Sequence, residues 1–377
     1  MSTDQNSSSL EDKFVDGEEW SCFSQWIHCV CVVTFDLNLG QAMEFVYPPE
    51  FTPSEQEVSN ICYMAFPDSN SGCMGDTKFH MRFRISPDSK RKEGAMHIFA
   101  NYNSDCLPTL RADNSHYWGF VYFRQRRDAK LPRGYFQKSF IILTRLPFFN
   151  LFYDLLSQLA PKYFNEGTLV LEMFCSQIVK MWPKLQAGST LFLPLFDMSY
   201  KTIIPKAASR KIISSTESST SIYQNSNIFK LPVKVIATVH ELELFHSFEF
   251  TIENIFTLWE LVLIGEPIVV VGTSPADCSH MVQCLVAIIS PLEYCAEVRP
   301  YFTIHDSEFK EFTKECKSPP SILLGVTNPF FIKLLKDWPH MLRLVDNQVT
   351  LPVYKMFMYN LQKCFSHRLE YFFFFIL

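Results

Sequence analysis

Between residues 209 and 226, nine of eighteen side chains are Ser or Thr, and Tyr223 is the one aromatic. So few apolar groups cannot repay the entropy of ordering, so the stretch reads as a flexible linker open to phosphorylation. It splits the chain into two apolar-rich portions with different periodicities, and each portion is expected to build a core of its own. The 377 residues allow two domains, and a hydrophobic content of 47% rules out wholesale disorder.

In the first portion, strand-like runs at 27–35 and 41–47 flank turn residues at 36–40, which predicts a hairpin. Pro53 opens a short helix to about residue 65, with Thr52 as its cap. Further strands are predicted at 79–85, 95–102, 116–124 and 135–144. The period then changes. Leu151, Phe152, Leu155, Leu156 and Leu159 recur at helical spacing behind Asn150 as cap. Leu169, Val170, Met173, Phe174, Ile178 and Met181 predict a second helix. The expected fold is α+β, with helices on one sheet face and an end near Pro183.

The second portion alternates β and α. Runs at 233–239, 267–271, 298–303, 322–326 and 341–345 look extended, and 254–264, 305–312 and 329–338 look helical. Ser274-Pro-Ala-Asp277 resembles a capping box opening a further helix. Apolar strands between helices indicate a mostly parallel α/β sheet covered on both faces.

Chemical signatures are scarce. The chain has only 12 glycines, and none is spaced as in GxGxxG, GxxxxGK or GxSxG. HExxH and the kinase triplets are absent, and none of the 12 cysteines forms a CxxC pair. No cofactor, metal or small-molecule substrate is therefore expected. Gly272 before Ser274 could cradle an anion, but a turn glycine with a capped helix is the plainer reading. A hydrolase or transferase built on Ser274 or His280 lacks partners at useful spacing.

The net charge of −5 gives no global field to hold nucleic acid. Two local basic clusters, Arg82–Arg84–Lys90–Arg91–Lys92 and Arg124–Arg126–Arg127–Lys130–Arg133, read as solvated rims or as contacts for acidic protein or lipid headgroups. The aromatic residues around 148–164, with Phe330, Phe331 and Trp338, read as core or as a docking surface. No apolar run approaches the roughly 20 residues of a membrane span. The acidic N-terminus is unlike a signal peptide, so a cytoplasmic location is expected.

Three sets of residues resemble one family. The stretch 30–48, VCVVTFDLNLGQAMEFVYP, resembles the opening hairpin of the longin-like module in DENN proteins. The stretch 134–147, GYFQKSFIILTRLP, with the aromatic residues up to Phe164, is similar to that module's last strand and helix. LWELVLIGEPIVVVG at 258–272, LLGVTNPF at 323–330 and WPHMLRLVD at 338–346 resemble the central DENN module, in wording close to the DENN domain-containing protein 6 subgroup.

This resemblance implies a disordered N-terminus over 1–24, a longin-like module over 25–183, a linker over 184–230, a three-layer α/β central module over 231–346 and a truncated or atypical tail over 347–377. The family's third, helical module would follow the central one. The implied activity is guanine nucleotide exchange on a Rab-family GTPase in endosomal trafficking, without covalent chemistry. The GTPase would be gripped between the two modules, and the protein recruited from the cytoplasm to recycling endosomes. The alternative is a scaffold that binds a Rab or trafficking partner without exchange. The expected contacts are Asp36, Leu37, Asn38 and Leu39 on one loop and Gly325, Thr327, Asn328 and Phe330 on another. An ordinary capped turn is the other reading of the second loop.

Overall fold

The structure, a computed structural model, describes residues 17–49, 51–68, 74–86, 91–131, 134–207, 231–239, 244–314, 319–344 and 348–350. The Ser/Thr-rich segment 209–226 and most of the tail expected over 347–377 lie outside them.

The first portion opens with helix α1 (Gly17–Trp26) and forms a five-stranded sheet from β1 (Cys29–Asp36), β2 (Gly40–Tyr47), β3 (Gly75–Arg84), β4 (His116–Arg127) and β5 (Tyr135–Thr144). The strand order is β2-β1-β5-β4-β3 and every pairing is antiparallel. Helices α2 (Glu55–Met64), α3 (Arg91–Asp105), α4 (Phe149–Glu166) and α5 (Thr168–Met181) pack around it.

The two-residue period of a strand divides each central strand between two cores. Val30 and Val32 of β1 and Phe140 and Ile142 of β5 face the core shared with α1, α3, α4 and α5. Cys29, Cys31 and Val33, with Ile141 and Leu143, face the core that α2 closes through Ile61, Cys62 and Met64. Both sheet faces are thus covered, where helices on one face were expected.

A small third sheet follows, β6 (Thr190–Leu195), β7 (Met198–Ile203) and β8 (Val233–Ile236), in the order β6-β7-β8. Its first two strands occupy sequence read as linker, while β8 lies in the run 233–239 read as an extended segment of the second portion. Leu191, Leu193, Leu195 and Tyr200 are buried in the first core, so the hairpin is held by packing that Pro183 and Pro194 obscure in the sequence.

The second portion contains α6 (Leu244–Phe248), α7 (Ile255–Ile264), β9 (Ile268–Val271), α8 (Pro275–Ala287), β10 (Glu297–Arg299), α9 (Phe309–Phe312), β11 (Ile322–Val326), α10 (Phe330–Leu334), β12 (His340–Arg343) and β13 (Gln348–Thr350). The sheet order is β10-β11-β9-β12-β13, parallel except for β13. Ile268 and Val270 point to α7 and α8, while Val269 and Val271 point to the Phe302–Phe312–Phe331 side. This is the three-layer α/β arrangement that continuous apolar strands require.

Several local expectations are corrected. Residues 95–102, read as a strand, lie in α3, because Phe99, Tyr102 and Cys106 recur at helical spacing and bury together. Helix α1 begins at Gly17, inside the stretch read as disordered, and sinks Phe23 and Trp26 into the first core. Ser54, not Thr52, caps α2, in a capping box with Glu57. Helix α4 starts without a side-chain cap, and Asn150 instead donates Nδ2 to the Ala237 and Val239 carbonyls at 3.0 and 3.1 Å. On α5, Val170, Phe174 and Ile178 are buried but Leu169, Met173 and Met181 are exposed.

The two large sheets share packing. Tyr301, carried by the second portion, is wholly buried in the α2-side core of the first sheet. Its hydroxyl donates to the Phe66 carbonyl at 3.1 Å and accepts from the Asp68 amide at 2.9 Å. Among the described residues no helix is long and apolar enough to cross a membrane.

Candidate functional site

Strand β3 is the edge of the first sheet, and α8 and β10 pack along it. Where β3, α4, α8 and the β8 segment meet they leave a cleft of about 390 Å³, lined by Lys78, Tyr153, Asp154, Ser157, Lys234 and His280, among others. Lys78 Nζ donates to Ser157 Oγ at 2.8 Å, and Lys234 Nζ pairs with Asp154 Oδ1 at 2.5 Å. Tyr153 forms the floor, its hydroxyl 2.7 Å from the buried His80 Nδ1 and its ring 5.4 Å from that of His280. The Asn150 bonds to the β8 segment fix one wall.

Below the cleft an ionic network ties the two portions together. Arg82 on β3 reaches Asp113 Oδ2 at 2.7 Å, Glu297 Oε1 at 2.9 Å and the Val298 carbonyl at 3.1 Å. Arg299, fully buried, contacts Glu297 at 3.1 Å, donates to the Arg82 carbonyl at 3.1 Å and pairs with Glu308. Glu308 also meets Arg84 Nε at 2.9 Å. Each buried charge therefore has an opposite neighbour, as burial demands. Arg82 is structural, not a solvated rim, while Arg84 is exposed and joins the network only through Glu308. Arg124 is structural too, buried against Asp76 at 2.7 Å.

Burial alone would raise the Asp113 carboxyl. The hydrogen bond with His116 and the Arg82 charge outweigh it and hold the group well below the usual carboxylate range. Glu297 behaves alike: burial opposes, but the His116 hydrogen bond and the charges of Arg299 and Arg82 bring it from 4.5 to about 2. Because the folded value is the lower one, its contribution is complete above about 4.5 and lost as pH falls toward 2. Glu297→Gln should therefore lose about 2–3 kcal/mol against the native chain at pH 7, and that difference should shrink steadily below about pH 4.5 in urea melts.

The two loops expected to bind a partner are not brought together. Asp36–Leu39 forms the β1–β2 turn, and β1 lies three strand spacings, about 14 Å, from β3 and the second portion. Asp36 Oδ1 accepts from the Asn38 and Leu39 amides at 2.7 and 3.0 Å, which holds its carboxyl below the ordinary value. Leu37 and Leu39 point outward. Gly325 is buried inside β11, and Thr327 is buried beside Tyr301, so neither offers surface to a partner. Asn328 Oδ1 accepts from the Phe330 amide at 2.9 Å, and Phe330 is half exposed.

Other candidates resolve as structure. The Gly272 amide donates to the Val326 carbonyl at 3.1 Å, and Ser274 Oγ caps α8 by accepting from the Asp277 amide at 3.2 Å. Among the described residues no group of three His, Cys, Asp or Glu side chains is arranged to hold a metal ion. Ser157 Oγ donates to the Tyr153 carbonyl within its own helix.

The model of the DENN (AEX-3) domain matches residues 135–347, from β5 of the first sheet to just before β13 of the second. The chain is 47% identical over 328 residues to Protein DENND6A of Gallus gallus, covering 87% of this chain and 55% of that protein. It is 47% identical over 331 residues to Protein DENND6B of Homo sapiens, covering 88% and 55%. To Protein DENND6 homolog of Dictyostelium discoideum it is 30% identical over 393 residues, covering 88% and 51%. The chain thus spans about half the length of the curated relatives it matches.

Proposed function

The chain belongs to the DENN domain family, in its DENND6 group, and we propose that it is a guanine nucleotide exchange factor for a Rab-family GTPase. In this reading the first sheet with its helices is the longin-like module, over 25–183, and the parallel sheet is the central module, over 231–346. The GTPase docks across their junction, with the Lys78–Tyr153–Lys234–His280 cleft as the contact centre. The protein works from the cytoplasm on endosomal membranes.

The mechanism needs no covalent step. A surface that binds the switch segments best in their nucleotide-free arrangement weakens nucleotide binding, and by linkage the nucleotide weakens its grip equally. The observation that carries this reading is the junction itself. Arg82, Arg299 and Tyr301 fix the two portions in one geometry, so the docking surface is pre-organised and little ordering cost falls on binding.

The test is release of fluorescent GDP from a panel of Rab proteins. Acceleration by the chain is expected for at least one member. Lys78→Glu with Lys234→Glu should slow it about tenfold with little change in thermal stability, because both lysines are exposed and their pairs are worth little. A chain that releases no GDP from any Rab refutes the exchange reading. Binding to a Rab protein without accelerated release would instead mark the chain as a scaffold.

A further inference from the structure

The register of the first sheet gathers the exposed apolar side chains of three segments at one end. Thr34 of β1 pairs with Lys138 of β5, so three residues on Leu37 lies level with Tyr135. Tyr135 pairs with Arg127 at the end of β4, and Gly75, opening β3, pairs with Gln125. The β1–β2 turn, the β4–β5 hairpin and the start of β3 therefore share one rim. On it stand Leu37 (61% exposed), Leu39 (78%), Met74 (52%), Leu131 (38%) and Tyr135 (36%). Apolar residues this exposed cost solubility unless something covers them.

The charges on the rim are asymmetric in availability. Asp36 is turned onto its own loop amides, Asp76 is bound by Arg124 at 2.7 Å, and Glu44 meets Lys138 at 2.7 Å. Asp128 Oδ1 accepts from the Lys130 amide at 2.9 Å. Arg127 and Lys130 are exposed, and among the described residues neither has an ion-pair partner. The chain as a whole carries −5, so these cations stand out against a negative body.

We propose that this rim is a peripheral docking surface for an anionic lipid bilayer, with the Leu37 and Leu39 tip entering the interfacial zone and Arg127 and Lys130 meeting headgroup phosphates or carboxylates. The shape favours a bilayer over a protein. A protein interface needs a contiguous patch of roughly 800 Å² per partner around a closed apolar core. Here the apolar groups stand on separate projecting segments, a form suited to a yielding interface that admits each tip singly. Opposite charge supplies the orientation, at roughly a fivefold gain in partition per basic residue near an anionic surface.

The full chain should sediment with vesicles of phosphatidylcholine and phosphatidylserine several-fold more than with phosphatidylcholine alone, and added salt should reverse the gain. Leu37→Glu with Leu39→Glu, and separately Arg127→Glu with Lys130→Glu, should each lower that partition about tenfold or more without shifting the melting temperature. Leu39→Trp serves as an insertion probe, and its emission should move to the blue on mixed vesicles. No preference for the anionic vesicles overturns the proposal. So does an unshifted Leu39→Trp spectrum or unchanged partition of the leucine variant, which would mean charge adsorption alone. If the tip variants lose binding to a Rab protein while vesicle binding persists, the rim is a protein contact and the proposal also fails.

Discussion

Replacing Arg299 by alanine should cost about 3–5 kcal/mol of unfolding free energy, the largest loss expected from any single charge among the described residues. The guanidinium is fully buried between Glu297, Glu308 and the Arg82 carbonyl. Removing it takes the buried cationic partner from two carboxylates that are themselves largely out of water, and leaves each with one less-buried arginine, Arg82 for Glu297 and Arg84 for Glu308. The penalty is therefore that of undercompensated charge rather than of one lost bond. Against a typical total of 5–15 kcal/mol, such a change leaves a marginal fold. Arg299→Lys should rescue little, because one ammonium cannot reach both carboxylates and the carbonyl with a planar fork. The urea midpoint is the measurement. A loss under about 1 kcal/mol would mean that Arg82 and Arg84 satisfy the two carboxylates unaided.

That network shows what could be read from the chain and what could not. Strands β1, β4 and β5 and helices α4 and α5 carry long, strongly periodic runs, and each forms where the period places it, while the short parallel strands show instead as continuous apolar runs. Helix α3 was misread because 95–102 is short enough for alternation and helical spacing to fit the same apolar residues. The β6–β7 hairpin follows a proline and contains another, at Pro194, and its stability comes from the α5 side rather than from its own sequence. Arg82 and Glu297 are 215 positions apart, a separation no local pattern reveals. The basic residues at 82–92 and 124–133 look alike in the chain, yet Arg82, Arg84 and Arg124 enter ion pairs while Arg127 and Lys130 remain at the surface. The cleft draws Lys78, Tyr153, Lys234 and His280 from four elements, so only the fold could assemble it. Of the eight residues expected to contact a partner, Leu37, Asn38, Leu39 and Phe330 are exposed, and Leu37 and Leu39 lie on the rim proposed for membrane contact.

Alanine at Gly325 should destabilise the second sheet by at least about 3 kcal/mol, more than most single-methyl insertions. A Cβ built there would stand 2.0 Å from the Pro300 carbonyl oxygen and 2.9 Å from its carbon. Neither neighbour can rotate away. Pro300 directly follows β10, and β11 is held on both sides, by β10 and by β9, while the Gly325 carbonyl accepts from the Phe302 amide at 2.8 Å. The strand must therefore shift bodily or break those ladders. Gly119→Ala is the control. Its Cβ also meets an atom too closely, at 2.7 Å, but that atom is the terminal methyl of Met81, which can swing aside. That change should cost about 1–2 kcal/mol, so the two glycines should separate clearly in thermal and urea melts. The same pair decides what Gly325 is for. If Gly325→Ala kept the native melting curve yet lost binding to a Rab protein, the glycine would be a contact that admits the partner's backbone. If binding and cooperative unfolding fail together, it is the gap through which β11 passes the 300–302 backbone, and the docking surface lies in the side chains around it.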